Sequence, residues 1–228
     1  MRAMILAAGR GERMGELTQA VPKPLLKVAG HYLIEYSLYA LRKAGITDIV
    51  INICYHAQQI KDALGNGQRY GVTIHYSEEE IALETGGGIV KALPLLGDAP
   101  FLVVSSDIIC DYPLQNILKD PHGLAHIVLV DNPVFHPHGD FCLFGQRVYY
   151  GKGQTFTFGN MGVYRPELFA HCHHHEGGRF RLGEILKAEI LNQQVTGEHF
   201  AGFWHNVGTL EQLELVQQYS DNLSILAV

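Results

Sequence analysis

Several charged side chains in this sequence stand where apolar runs end, the pattern expected of a chain that handles phosphate. The run from Ala3 to Ala8 breaks into Gly9-Arg10-Gly11-Glu12-Arg13-Met14, and Pro22-Lys23-Pro24-Leu25 follows. A strand that ends in a glycine-containing turn exposes backbone N–H groups, and Arg10, Arg13 and Lys23 add positive charge beside them. Such a turn can hold a polyphosphate. A side chain at Gly9 or Gly11 would keep the backbone from closing around phosphate oxygens, and glycine reaches positive φ without strain. Lys23 lies between two prolines, whose constrained backbone can aim its ammonium group. Asp107 ends the run Phe101-Leu102-Val103-Val104-Ser105-Ser106, and a carboxylate there suits Mg2+, a hard cation that takes oxygen ligands. The third glycine of the dinucleotide fingerprint is missing and no G-x-x-x-x-G-K-[ST] follows the strand, which disfavours a dinucleotide-dependent dehydrogenase. Read from the loop alone, an ordinary strand-to-helix turn with surface cations remains open.

Leu6-Ala7-Ala8-Gly9-x-Gly11-x-Arg13-Met14 with Pro22-Lys23-Pro24-Leu25 resembles the signature of the sugar-1-phosphate nucleotidyltransferases. Leu83-Glu84-Thr85-Gly86-Gly87-Gly88, the strand ending at Asp107, and Trp204-His205-Asn206-Val207-Gly208-Thr209 follow in that family's order, so the resemblance covers nearly the whole chain. The segments at 83–88, 129–133 and 139–141 are similar to those of short bacterial members that act on N-acetylmuramate 1-phosphate with UTP.

The resemblance implies attack by a sugar-1-phosphate oxygen on the α-phosphorus of a nucleoside triphosphate, with UTP favoured. It implies Arg13 on the β- and γ-phosphates and Lys23 between the α-phosphate and the sugar phosphate. Leu6, Ala8, Gly9, Gly11, Ser106, Glu84, Thr85 and Gly87 would line the nucleotide, and Asp131, Asp140 and Asn160 the sugar. Asp107 and Asn206 would hold Mg2+. The family's second metal ligand is normally an aspartate in Trp-x-Asp-Val-Gly-Thr, where this chain has Asn206. The amide oxygen remains but the negative charge is gone, so weaker metal binding is expected. Gly15-Glu16 and Ser105-Ser106 also depart from the family pattern. A guanylyl- or other nucleotidyltransferase acting on mannose 1-phosphate or another hexose 1-phosphate is the alternative within the class. A nucleotide-sugar binding protein that does not turn over is the alternative outside it.

The chain has 228 residues, 47% hydrophobic and 18% charged, enough for one sizeable core. A net charge of −6 gives no global attraction to nucleic acid or anionic membrane, so a phosphate site must be made locally. Met1-Arg2 leads directly into a strand-like run without a signal or membrane segment, which points to the cytoplasm. Cys54, Cys110, Cys142 and Cys172 are scattered and read as core or surface thiols. His171, His173, His174 and His175 precede Glu176-Gly177-Gly178 and read as a solvated surface cluster.

Strand-like runs at 3–7, 48–53, 72–76, 101–105 and 124–130 alternate with helix-like stretches at 31–44, 56–64, 86–96 and 113–119. That alternation predicts an α/β, doubly wound and mostly parallel sheet. Short segments at 141–144, 146–150 and 155–164 read as hairpins laid over the end of the sheet, making 133–165 a β-rich, sugar-side lobe within one domain of residues 1–228. Helices at 182–193 and 209–222 flank a strand at 195–200. In such sheets ligands gather outside the carboxyl ends of the strands, so the 8–14 loop and Asp107 should meet there.

Overall fold

Period-two alternation in β1 (Ala3–Leu6) sends Ala3 and Ile5 into one buried apolar layer and Met4 into another. A strand covered on both faces requires this pattern. The computed structural model describes residues 1–117, 120–172 and 178–219. His173, His174 and His175, and the end of the helix expected at 209–222, lie outside the described residues.

After β1 come α1 (Leu17–Ala20), β2 (Lys27–Val28), β3 (His31–Tyr32), α2 (Leu33–Lys43), β4 (Asp48–Ile53), α3 (Ala57–Leu64), β5 (Thr73–Glu78) and α4 (Glu84–Leu96). The chain continues through β6 (Phe101–Ser105), β7 (Ile108–Cys110), β8 (Ala125–Val130), β9 (Phe141–Phe144), β10 (Arg147–Tyr149) and β11 (Thr155–Tyr164). It ends with α5 (Leu182–Leu191), β12 (Val195–Phe200), β13 (Trp204–Asn206) and α6 (Leu210–Tyr219).

A nine-stranded sheet has the order β5-β4-β1-β6-β11-β8-β12-β10-β9. Its first half, β5-β4-β1-β6, is parallel, as expected. The second half is mixed, because β11 enters antiparallel between β6 and β8, whereas β8 and β12 are parallel. The carboxyl ends of β1, β4, β6, β8 and β12 therefore share one edge. The 141–164 hairpins do not lie over the sheet. β9 also pairs with β11, so the pairings β11-β8-β12-β10-β9-β11 return on themselves.

Helices cover both faces. On one side α2 and α3 bury Ile34, Leu38, Leu41, Ile60 and Leu64; on the other α4 and α5 bury Ile89, Ala92, Leu186 and Ile190. Each buried Leu or Ile among them contributes about 1.5–3 kcal/mol by burial. The helix expected at 31–44 begins only at Leu33, because His31–Tyr32 pairs with Lys27–Val28 as a short ribbon. Where a helix is expected at 113–119, the described residues 113–117 form a 3-10 turn at Leu114–Asn116. Among the described residues no helix is long and apolar enough to cross a membrane.

A third, smaller apolar cluster gathers Met14, Leu26, Val28, Leu33, Tyr36, Ile109, Val207, Leu213 and Val216. It lies beneath the segments that carry Arg13, Lys23, Asp107 and Asn206.

The fully buried Tyr164 packs against Phe101 and Phe169, and its hydroxyl has no hydrogen-bond partner among the described residues. A buried hydroxyl left unpaired costs about 1–3 kcal/mol. Tyr164→Phe should therefore leave stability unchanged or raise it by about 1 kcal/mol in urea unfolding. A loss above that size would show that the hydroxyl is satisfied.

Candidate active site

The loop after β1 and Asp107 do meet. A cavity of about 450 Å3 at the carboxyl edge of the sheet is lined by Leu6, Ala8, Gly9, Gly11, Arg13, Lys23, Glu84, Thr85, Ser106 and Asp107. Asn52, Tyr55, Arg179 and Gly208, which the sequence reading did not single out for the site, also line it. The volume lies within the range of ligand sites, about 300–1,000 Å3.

Each wall has a local cause. The Ser106 N–H donates to the Leu6 carbonyl at 3.0 Å, tying the ends of β1 and β6 together. Gly11 has φ of 68°, and a Cβ there would lie 3.0 Å from Thr18 Cγ2 and 3.1 Å from Lys23 Cβ, so the turn needs glycine. Gly9 is different. Its φ is not positive and a Cβ there would meet nothing within 4 Å, so its value is the open space it leaves.

Pro22 is extended and Lys23–Leu25 forms one 3-10 turn, closed by the Leu25 N–H donating to the Pro22 carbonyl at 2.8 Å. The turn aims Lys23 Nζ at Asp107 Oδ2, where the two form an ion pair. The Ser105 hydroxyl donates to the other carboxylate oxygen at 2.6 Å. Ser105, one of the departures from the family pattern, thus holds Asp107 in place.

β13 pairs antiparallel with β7, with Asn206 opposite Ile108, and the Val207 N–H donates to the Asp107 carbonyl at 2.8 Å. This ribbon sets the Asn206 backbone next to that of Asp107, and Asn206 is not among the residues that line the cavity. The Asn206 Oδ1 atom is buried and has no hydrogen-bond partner among the described residues. A carboxylate and an amide oxygen without a partner among the described residues are hard oxygen donors, the chemistry that suits a divalent cation such as Mg2+. Gly208, two residues on, passes under Arg13; a Cβ there would be 3.0 Å from Arg13 Nη2. Arg10 instead pairs with Glu12 at 3.6 Å and lies over Tyr55.

The glycine triplet is seated differently from the expectation at Gly87. α4 begins at Glu84, whose φ is 63°, rather than near Gly87. The N–H groups of Gly86 and Gly87 donate to the Phe180 carbonyl at 3.0 and 3.2 Å, and the Leu182 N–H donates to Thr85 Oγ1 at 2.8 Å. A Cβ on Gly86 would lie 2.2 Å from Phe180 Cε2, and one on Gly87 would lie 2.0 Å from the Gly178 carbonyl oxygen. Gly86 and Gly87 therefore let the 178–182 segment dock on α4, and Gly87 does not line the cavity. Glu84 pairs with Arg179 at 3.2 Å, drawing that guanidinium to the rim.

Asp131, Asp140 and Asn160 do not line this cavity. Asp131 follows β8 and pairs with His199 at 2.9 Å; Asp140 accepts the Phe158 N–H at 2.8 Å and faces His136 at 3.0 Å. Asn160 has φ of 56° within a bulge of β11, where pairing with β8 jumps between Phe158 and Gly162. With Met161 paired to Val104, the bulge brings Asn160 level with the end of β6, and bulges often re-aim side chains at functional sites.

Residues 2–133 match the nucleotidyl transferase family, and the chain belongs to it. It is 45% identical over 226 residues to N-acetylmuramate alpha-1-phosphate uridylyltransferase of Neisseria meningitidis, covering 95% of this chain and 97% of that one. It is 38% identical over 234 residues to the catalytic subunit beta of mannose-1-phosphate guanylyltransferase of Dictyostelium discoideum, covering 91% of this chain and 61% of that one. A solved structure assigned as a glucose-1-phosphate thymidylyltransferase of Bacillus anthracis superimposes with a TM-score of 0.88 at 19% identity, covering 98% of this chain and 96% of that one. The last likeness establishes the fold.

The seating of α4 can be checked directly. Gly87→Ala should cost about 2 kcal/mol or more, because the new methyl group meets rigid backbone. A variant with an unchanged thermal midpoint would contradict this packing.

Proposed function

We propose that the chain transfers a uridylyl group from UTP to N-acetylmuramate 1-phosphate, giving UDP-N-acetylmuramate and pyrophosphate, in the cytoplasmic recycling of cell-wall sugar. What supports this most is the single cavity at which the 8–13 loop, Arg13, Lys23 and Asp107 converge, with Asn206 carried on the strand paired next to Asp107. The relative from Neisseria meningitidis matches over 97% of its length and directs the choice of substrates.

The attacking and departing groups are both anionic, so positioning and charge neutralisation supply most of the rate. The N–H groups of the 8–11 loop and the Arg13 guanidinium face the β- and γ-phosphates and hold the pyrophosphate as it leaves. Lys23 bridges the α-phosphate and the sugar phosphate. Asp107 and Asn206 would hold a Mg2+ ion, which when bound would offset phosphate charge and lower the repulsion between the reactants. Glu84 and Thr85 face the nucleoside end of the cavity. Asp131, Asp140 and Asn160, on the β8–β11 side and outside the cavity lining, are assigned to the sugar, with the 133–165 region as the sugar-side part of one domain.

The similarity to a mannose-1-phosphate guanylyltransferase supports a second reading, GTP with mannose 1-phosphate. Pyrophosphate release across a panel of triphosphates and sugar phosphates decides between them. The expected outcome is turnover with UTP and N-acetylmuramate 1-phosphate; turnover only with GTP and mannose 1-phosphate would replace the first reading by the second.

Arg13→Ala should lower kcat/KM by about 100-fold or more without loss of fold, since it removes a cation aimed at developing charge. Undiminished activity would remove Arg13 from the mechanism. Asn206→Asp should tighten Mg2+ binding about tenfold in calorimetry, by adding a negative ligand. Unchanged affinity would place the cation elsewhere.

A further inference from the structure

The cavity has two facing walls of separate origin, Ala7–Gly11 after β1 and the start of α4 with Glu84 and Thr85. A pair of buried polar side chains connects them. Asn52, near the end of β4, accepts the Ala7 N–H through Oδ1 at 2.9 Å and donates through Nδ2 to Glu79 Oε1 at 2.7 Å. Glu79 Oε2 accepts the Leu83 N–H at 2.8 Å. The two residues are 2% and 5% exposed, and Asn52 borders the cavity.

Both Glu79 oxygens act as acceptors, which suits the ionised carboxylate. Burial pushes its pKa up, and the bonds from Asn52 and Leu83, with Lys91 nearby, act against that. Space for the pair comes from Gly88, where a Cβ would lie 2.7 Å from both Asn52 Nδ2 and Glu79 Oε1. Apolar side chains of like volume would fill this position at less cost than a buried charge. A polar pair here therefore has a use beyond packing.

We propose that Asn52 and Glu79 are positioning residues, a strap that sets the separation between the phosphate-binding loop and the nucleoside-side wall so that a nucleoside triphosphate spanning both is held in one register. The proposal rests on the nucleotidyl transfer reading above. It makes the strap matter for a ligand that touches both walls and much less for one that touches the loop alone.

Two isosteric substitutions test it. In Glu79→Gln the new amide donor faces the Leu83 N–H, and in Asn52→Asp two carboxylates face each other. In the double variant N52D/E79Q every bond is restored: the carboxylate at position 52 accepts the Ala7 N–H and the new amide, whose oxygen accepts the Leu83 N–H. The net charge is unchanged. Calorimetry with Mg2+ should show UTP binding weakened about tenfold in each single variant, inorganic triphosphate binding changed less than about twofold, and UTP binding in the double variant within about threefold of the unsubstituted chain. If a single variant fails to fold, the double variant and the remaining single variant still decide.

Single variants that fold and bind UTP normally would overturn the proposal. So would a folded double variant without recovery, or equal weakening of UTP and inorganic triphosphate. If the unsubstituted chain binds inorganic triphosphate but no UTP, the functional reading itself fails, and the strap with it.

Discussion

Met14, Leu26, Ile109 and Val207 are buried together in one small apolar cluster, and each lies within three residues of a polar side chain at the site: Arg13, Lys23, Asp107 and Asn206. The polar groups are where they are because their apolar neighbours are where they must be. Bringing the Lys23 ammonium to the partly buried Asp107 carboxylate carries a desolvation cost of several kcal/mol per ion in a fully buried setting, only partly offset by their attraction. Ile109, Val207, Leu33 and Val216 are fully buried, at about 1.5–3 kcal/mol each. Their combined burial is large enough to hold charges together that would gain little by meeting alone.

The same constraint explains how the site is assembled from distant parts of the chain. Residues of the cluster run from Met14 to Val216, and α2 and α6 both contribute to it. From α6, Leu213 and Val216 join Val207 in this cluster, closing it next to the strand that carries Asn206. The carboxylate has two neighbours of its own, the Lys23 ammonium and the Ser105 hydroxyl. The Asn206 amide oxygen has none among the described residues. A neutral ligand in this second position leaves one negative charge, already matched by one lysine, so an incoming cation must compete for it.

Much of this could be read from the residues before any coordinates. The strand-turn at 3–14, the proline-flanked lysine and Asp107 at a strand end predict a shared edge, and they share it. Short or long-range features escaped. The β7–β13 ribbon has only three residues in each strand and joins positions nearly a hundred apart, so no local periodicity announces it. The antiparallel entry of β11 is equally silent, because a ten-residue run of alternating side chains does not state its direction. Gly86 and Gly87 suggest close approach in any reading, but what approaches is the 178–182 backbone, which sequence order alone does not bring near. Asn52 sits inside an apolar strand without a motif around it, so its bonds to Ala7 and Glu79 become visible only once β1 and β4 are side by side.

The central claim is that the loop cations, Asp107 and Asn206 surround one triphosphate and its cation. A crystal grown with Mn2+ and a non-hydrolysable UTP analogue, with the anomalous signal of manganese mapped, tests it most directly. The account predicts a single peak about 2.0–2.3 Å from an Asp107 carboxylate oxygen and from Asn206 Oδ1, with Lys23 turned from the carboxylate toward the α-phosphate. A manganese peak bound to neither residue, with the Lys23–Asp107 ion pair intact beside the nucleotide, would contradict it.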